Sequence, residues 1–309
     1  MALWHKYGWV AYLAVFVGVL GHASAEFFSV LSGIGGPELS VWRFSLGGLG
    51  LVVLALLFSD SRDLITPMRK SGVRIVILSL FGISGGYLFF HWSLDFASVP
   101  QVATIVTAAP IFVGITNFLV NDEPFGLAKI TSGACALTGI ALLVTDGYLA
   151  TLTGSSDSLI GVIMALSSSI FLSVFMVLIK PIIGAYGALR ITAISLIIGA
   201  LGLWVIVGLV FDIWVSPERI STMSELAIYS LIAIAIFNTT ITQFLWIGGL
   251  AAVPDITRGS YLFFLKPVIA ALLAVLILGQ NLTMVQSIAV LLVTFSVGAE
   301  FVVGRFIKP

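Results

Sequence analysis

Ten apolar runs, each about 20 residues long and parted by short polar turns, follow one another from residue 9 to residue 303. At about 1.5 Å of rise per residue, a helix of that length crosses the roughly 30 Å hydrocarbon core of a bilayer. Lipid offers no partner to a backbone N–H or C=O, so each run must bond within itself as a helix. The predicted spans are 9–31, 39–58, 74–95, 100–119, 126–145, 159–179, 189–211, 225–248, 254–278 and 283–303. The fold class is an all-α membrane protein of ten transmembrane helices. Composition excludes the soluble alternative: 9% of residues are charged, against about 25% in a soluble domain. The first run is longer than the core of a signal peptide and is read as a retained span.

Charge gives an independent test of the span count, because a missed span would scramble the alternation of basic loops. Lys6, Arg62, Arg69, Lys70, Arg74, Lys129, Lys180, Arg190, Arg258, Arg305 and Lys308 fall on one side, Arg219 alone on the other, and Arg43 and Lys266 inside spans. Both termini are therefore expected in the cytoplasm of a cell whose inner membrane holds the chain, with the loop near Ser155 outside. The formal net charge is zero, so nucleic acid is not an expected partner. The single cysteine, Cys135, lies within an apolar run and is read as a small core hydrophobe.

The chain repeats itself. Trp92, Ala97, Val99 and Pro100 match Trp246, Ala251, Val253 and Pro254 at a constant offset of 154 residues. Pro110 and Pro267 follow inside the next span at an offset of 157, and each half then has a polar turn, Asn121-Asp122-Glu123-Pro124 or Gly279-Gln280-Asn281, before its last helix. The expected halves are 1–150 and 151–309. Five spans per half make the second half enter the membrane reversed, an inverted repeat that secondary transporters use with the substrate site near the midplane.

These features, with Val41-Trp42-Arg43 early in the second span, resemble the EamA branch of the drug/metabolite transporter superfamily over about residues 9–303. The resemblance implies a central cavity lined by the first, third, fourth, sixth, eighth and ninth helices. The second half departs from the family pattern in carrying Gln280 where a Glu often stands; the first half has Glu123.

Polar side chains in hydrocarbon mark candidate sites, because they are costly unless they face the bundle interior or water. His22 and Glu26 lie four apart on one helix face, as do Tyr87 and His91. Lys266 lies near the middle of the ninth span, beside Pro267, where a charge costs about 2.5–3.5 kcal/mol on insertion scales. The expected substrate-binding residues are Lys266, His91, Tyr87, Trp92, Asn238, Gln243, Trp246 and Tyr261. Glu26 admits two readings: a structural ion pair with Arg43, or proton coupling together with His22. Lys266 equally admits a structural pair.

A cavity holding Lys266 and Glu26 suits a small polar or zwitterionic metabolite, so the expected function is a secondary exporter of amino acids or related metabolites. An organic cation or a phosphorylated metabolite is compatible with the same residues. No HExxH or Walker motif and no metal-ligand spacing occurs, which argues against a metalloenzyme, an ATP-driven pump or a cofactor. An ion channel would not require the repeat.

Overall fold

The computed structural model describes residues 7–93, 95–97, 99–124, 126–145, 156–278 and 282–306. Within them the chain is helical in ten successive passes. The helices are α1 (Gly8–Ser32), α2 (Gly36–Leu57), α3 (Ile65–Ser79), α4 (Gly86–Ser93), α5 (Val99–Val106), α6 (Ala109–Asn121) and α7 (Leu127–Thr145) in the first half. In the second they are α8 (Ser156–Tyr186), α9 (Ala188–Phe211), α10 (Glu225–Ala233), α11 (Thr242–Ala252), α12 (Ile256–Ser260), α13 (Lys266–Leu278) and α14 (Met284–Phe306). Four passes are composite: α3 with α4, α5 with α6, α10 with α11, and α12 with α13. Each predicted span has its helical counterpart, with ends shifted outward where a helix runs past the apolar core. The sixth, for example, extends to Tyr186 with Pro181 inside it.

The breaks follow the repeat. The third pass is interrupted by a π-helical turn at Leu80–Gly85 and the eighth by one at Ile234–Ile241, and the two begin 154 residues apart. In the eighth, Thr239 Oγ1 and Thr240 Oγ1 donate to the carbonyls of Ile234 and Ala235, satisfying oxygens that the widened turn displaces. The fourth pass breaks at Ala108, just before Pro110 enters the first turn of α6. The ninth tightens to a 3₁₀ turn at Tyr261–Leu265 immediately before Lys266 and Pro267. Proline supplies no N–H, so it is tolerated in a first helical turn and ends what precedes it.

Packing joins the halves reciprocally. α1 runs antiparallel to α11: Gly18 packs on Trp246, Gly21 on Thr242 and Gly249 on Val15. α8 does the same against the third pass, where Gly82 meets Phe175, Gly85 meets Phe171 and Gly86 meets Leu172. Lipid supplies no hydrophobic drive between helices, so close backbone approach at small residues is what holds these pairs. α2 packs on α9 through Gly48 against Ile197, and α7 on α14 through Gly139 against Val293. The α7–α14 core contains Ala136, Ile140, Leu143, Ala289 and Val293. Cys135 corrects its expectation: it is exposed, because the face of α7 that packs inward is the one carrying Ala136, Gly139 and Ile140.

The candidate substrate cavity

A cavity of about 400 Å³ lies between the halves, a size typical of small-molecule sites, which run from about 300 to 1,000 Å³. It reaches the surface at the α1–α2 connector, where Gly33, Ile34, Gly35 and Gly36 line it, and extends inward to Ser260 and Lys266. Passes one, three, four, six, eight and nine all contribute to its wall, as the resemblance implied. The second pass contributes as well, through Leu39 and Arg43.

Four of the eight expected substrate-binding residues, Lys266, His91, Tyr87 and Trp246, line this cavity, together with His22. Trp246 and Phe263 lie 5.1 Å apart, and the His22 ring presents its edge to both at 5.6 Å. The Lys266 ammonium sits 5.8 Å from the Phe263 ring centroid. His91 Nδ1 is 2.9 Å from the Tyr87 carbonyl oxygen and 2.6 Å from Ser40 Oγ. The carbonyl only accepts, so that bond needs the proton on Nδ1, and the Ser40 hydroxyl then accepts too.

The other four stand behind the wall. Gln243 Nε2 donates to Tyr87 Oη at 2.6 Å. Asn238 Nδ2 donates to the Gly21 carbonyl and, at 2.9 Å, to Ser24 Oγ. Both amides are fully buried and tie the eighth pass to the third and first. Tyr261 donates its hydroxyl hydrogen to the Lys129 carbonyl, linking passes nine and five. Trp92 packs edge-on against Phe211 at 4.9 Å, away from the cavity.

Arg43 is a wall residue that the sequence presented only as an ion-pair partner. Its Nε donates to Thr239 Oγ1 at 3.1 Å and a terminal nitrogen donates to the Asn238 carbonyl at 3.3 Å. Its guanidinium carbon lies 5.5 Å from the Phe44 ring centroid and 6.0 Å from that of Tyr87. The bonds to the eighth pass hold the guanidinium in orientation at the cavity. Glu26 lies on α1, but its side chain falls outside the described residues, as do the loop containing Ser155 and the turn containing Gln280.

The end opposite the mouth is fastened. Antiparallel packing carries the close of α11 to the start of α1, and there Lys129 Nζ meets Asp255 Oδ2 at 2.8 Å with both side chains largely buried. Asp255 Oδ1 accepts from the Arg258 backbone N–H at 3.1 Å, capping α12. Lys180 Nζ donates to the Val253 carbonyl at 3.0 Å. Burial alone would raise the pKa of Asp255. The Lys129 hydrogen bond, the Arg258 N–H and the charges of Lys129 and Arg258 outweigh it and hold that carboxyl below its usual value. At the mouth, Asp95 is exposed and Glu38 pairs with Arg219 at 3.2 Å.

Among known proteins, the chain is similar to an inner membrane transporter of Salmonella typhimurium, described as uncharacterized and named YicL. The two are 23% identical over 88% of this chain and 87% of the other. A transporter of Clostridium kluyveri, also described as uncharacterized, is 22% identical over 74% of this chain and 76% of its own length. One from Archaeoglobus fulgidus with the same description is 20% identical over 68% and 71%. A solved crystal structure superposes with a TM-score of 0.81 at 16% identity, covering 97% of this chain and 99% of that one; at that identity it speaks for the fold alone. Residues 5–145 and again 159–299 match the EamA-like transporter family, so the inverted repeat of the bundle is also a repeat of one family unit, and the chain belongs to the EamA-like transporter family.

Proposed function

We propose that the protein is a secondary transporter that exports amino acids or related small metabolites across the cytoplasmic membrane by alternating access, with both termini in the cytoplasm. The observation that carries this reading is the cavity itself, open at the α1–α2 connector and fastened at its other end by the Lys129–Asp255 pair across the two halves, with Lys180 holding the Val253 carbonyl within the second. A site between inverted repeats with one end open and the other held by breakable polar contacts is what alternating access requires. The paired π-turns and the proline-linked breaks of passes four and nine supply places where the helices can bend. Lys266, Tyr87, His91 and Trp246 are assigned direct contact with substrate; Gln243 and Asn238 position that wall.

Purified protein reconstituted in proteoliposomes tests the reading. Labelled amino acids or short carboxylates loaded inside should leave faster than from empty liposomes, with saturation and with acceleration by unlabelled substrate on the far side. Flux that rises linearly with concentration and shows no such exchange would mark a channel instead.

A further inference from the structure

His91 lines the cavity while only 3% exposed, on the face of α4 that it shares with Tyr87 one turn earlier. Its Nδ1 is engaged twice, at 2.9 Å from the Tyr87 carbonyl oxygen and 2.6 Å from Oγ of Ser40, a fully buried residue of α2. The carbonyl only accepts, so the proton is on Nδ1, and in the neutral imidazole that leaves Nε2 a bare lone pair. The covalent geometry of the ring turns Nε2 away from both partners. Among the described residues nothing donates to it.

His22, the other imidazole of the wall, is not held in this way. Its ring stands edge-on to Trp246 and Phe263, and its Nε2 has no partner among the described residues, so nothing there decides which nitrogen carries the proton. The serines of the wall are engaged with backbone: Ser173 Oγ donates to the Ala109 carbonyl and Ser260 Oγ to the Thr257 carbonyl. Around His91 the wall is apolar and aromatic, with Phe90 edge-on to its ring at 4.8 Å and Val102 and Val106 also lining the cavity.

We infer that His91 Nε2 accepts a hydrogen bond from the substrate, so that the transported metabolite carries an N–H or O–H donor on an apolar body that packs along Trp246, Phe263 and Phe90. A ligand that fills the cavity displaces any water serving Nε2, and one without a donor strands the lone pair in an apolar wall. Sites built to hydrogen-bond an N–H or O–H reject analogues lacking it far more strongly than apolar pockets reject a missing methylene. Among small metabolites of the kind proposed above, an α-amino acid brings the donor as its ammonium and an α-hydroxy acid as its hydroxyl. The inference rests on the transporter reading of this cavity and deepens it by naming the group that the substrate must present and the atom that receives it.

Three probes that share a benzyl body and a carboxylate and differ only at the α-carbon test it on the full-length protein. There 3-phenylpropionate has no donor, 3-phenyllactate a hydroxyl and phenylalanine an ammonium. Binding is read by ligand-induced thermal shift and by titration calorimetry in detergent at pH 7. At least one of the two donors should bind about tenfold more tightly than 3-phenylpropionate, and which of them does so tells a hydroxy acid from an amino acid. In His91→Phe, which keeps a ring and loses both nitrogens, that preference should fall to within about twofold while 3-phenylpropionate affinity changes little. If His91→Phe does not fold, the wild-type series decides alone. Binding of 3-phenylpropionate as tight as that of both donors overturns the inference, as does a donor preference that survives His91→Phe, or binding of none of the three. Flux in proteoliposomes separates its failure from that of the transporter reading. Carrier-type flux of the probes without a donor preference removes only the role of His91, whereas a donor preference in binding without carrier-type flux of any probe removes the transporter.

Discussion

Gly21 and Gly184 are both glycines inside helices, yet their surroundings differ. A Cβ added at Gly21 collides with Thr242 in the antiparallel contact of α1 and α11, whereas one at Gly184 meets nothing within 4 Å. Gly21→Ala should destabilise by about 1–3 kcal/mol through overpacking, and Gly184→Ala should stabilise by about 0.5–1 kcal/mol, the helix propensity gain alone. Melting temperatures in detergent check both. Adding Thr242→Ala should recover part of the Gly21→Ala loss, since the two sites share one contact; additive losses would show that the helices do not meet there. Glu26 bears on coupling. If it carries the proton, Glu26→Gln abolishes accumulation driven by a pH gradient and leaves substrate exchange between equal pools largely intact. Unchanged gradient-driven transport assigns it to the ion pair with Arg43.

The elements that matter most for transport are those that close the cavity away from its mouth. Lys129 begins the fifth pass, Asp255 caps α12, and Lys180 reaches Val253 from the sixth. Breaking the Lys129–Asp255 pair with Asp255→Asn should weaken this closure by about 1–3 kcal/mol, less than for a fully buried pair because both side chains retain some exposure. In a Cys135→Ala background, a cysteine at Ser260, on the cavity wall beside this closure, should then react faster with an impermeant thiol reagent applied from the Asp255 side. An unchanged rate would mean that the pair does not hold the closed state. The pH dependence has a definite sign. A carboxyl held below its usual value of 3.8 contributes its stabilisation in full above that value and loses it as pH falls through the lower, folded one. Between about pH 5 and 8 the pair is therefore constant, and wild type and Asp255→Asn should share the shape of their transport profile there. A different shape would require another titrating group to depend on Asp255.

At the scale of the whole molecule, the two halves are interleaved, with the first pass on the eighth and the sixth on the third. Neither half alone encloses the cavity, so separately expressed halves should regain transport only when both are present, which coexpression and flux measurement check. The eleven basic residues on one set of loops predict that a cysteine at Ser155 is labelled on intact cells. Labelling only after permeabilisation would reverse the orientation and make the open mouth cytoplasmic.

The number of passes, their approximate ends and the offset between halves were legible in the sequence, because bilayer thickness sets helix length and lipid forbids any unbonded backbone. Pro110 and Pro267 were legible as marks of the repeat, and the structure adds that two passes break just before them. Which polar side chains share the cavity was not legible. Tyr87 and Gln243 are 156 residues apart in sequence, yet one holds the other. Periodicity places a residue on a face of its own helix but leaves open what that face meets. Arg43 belongs to the cavity wall and Asn238 stands behind it for the same reason: the rotation of each helix is decided by small-residue contacts such as Gly18 on Trp246 and Gly21 on Thr242, and those exist only once the two halves have packed together.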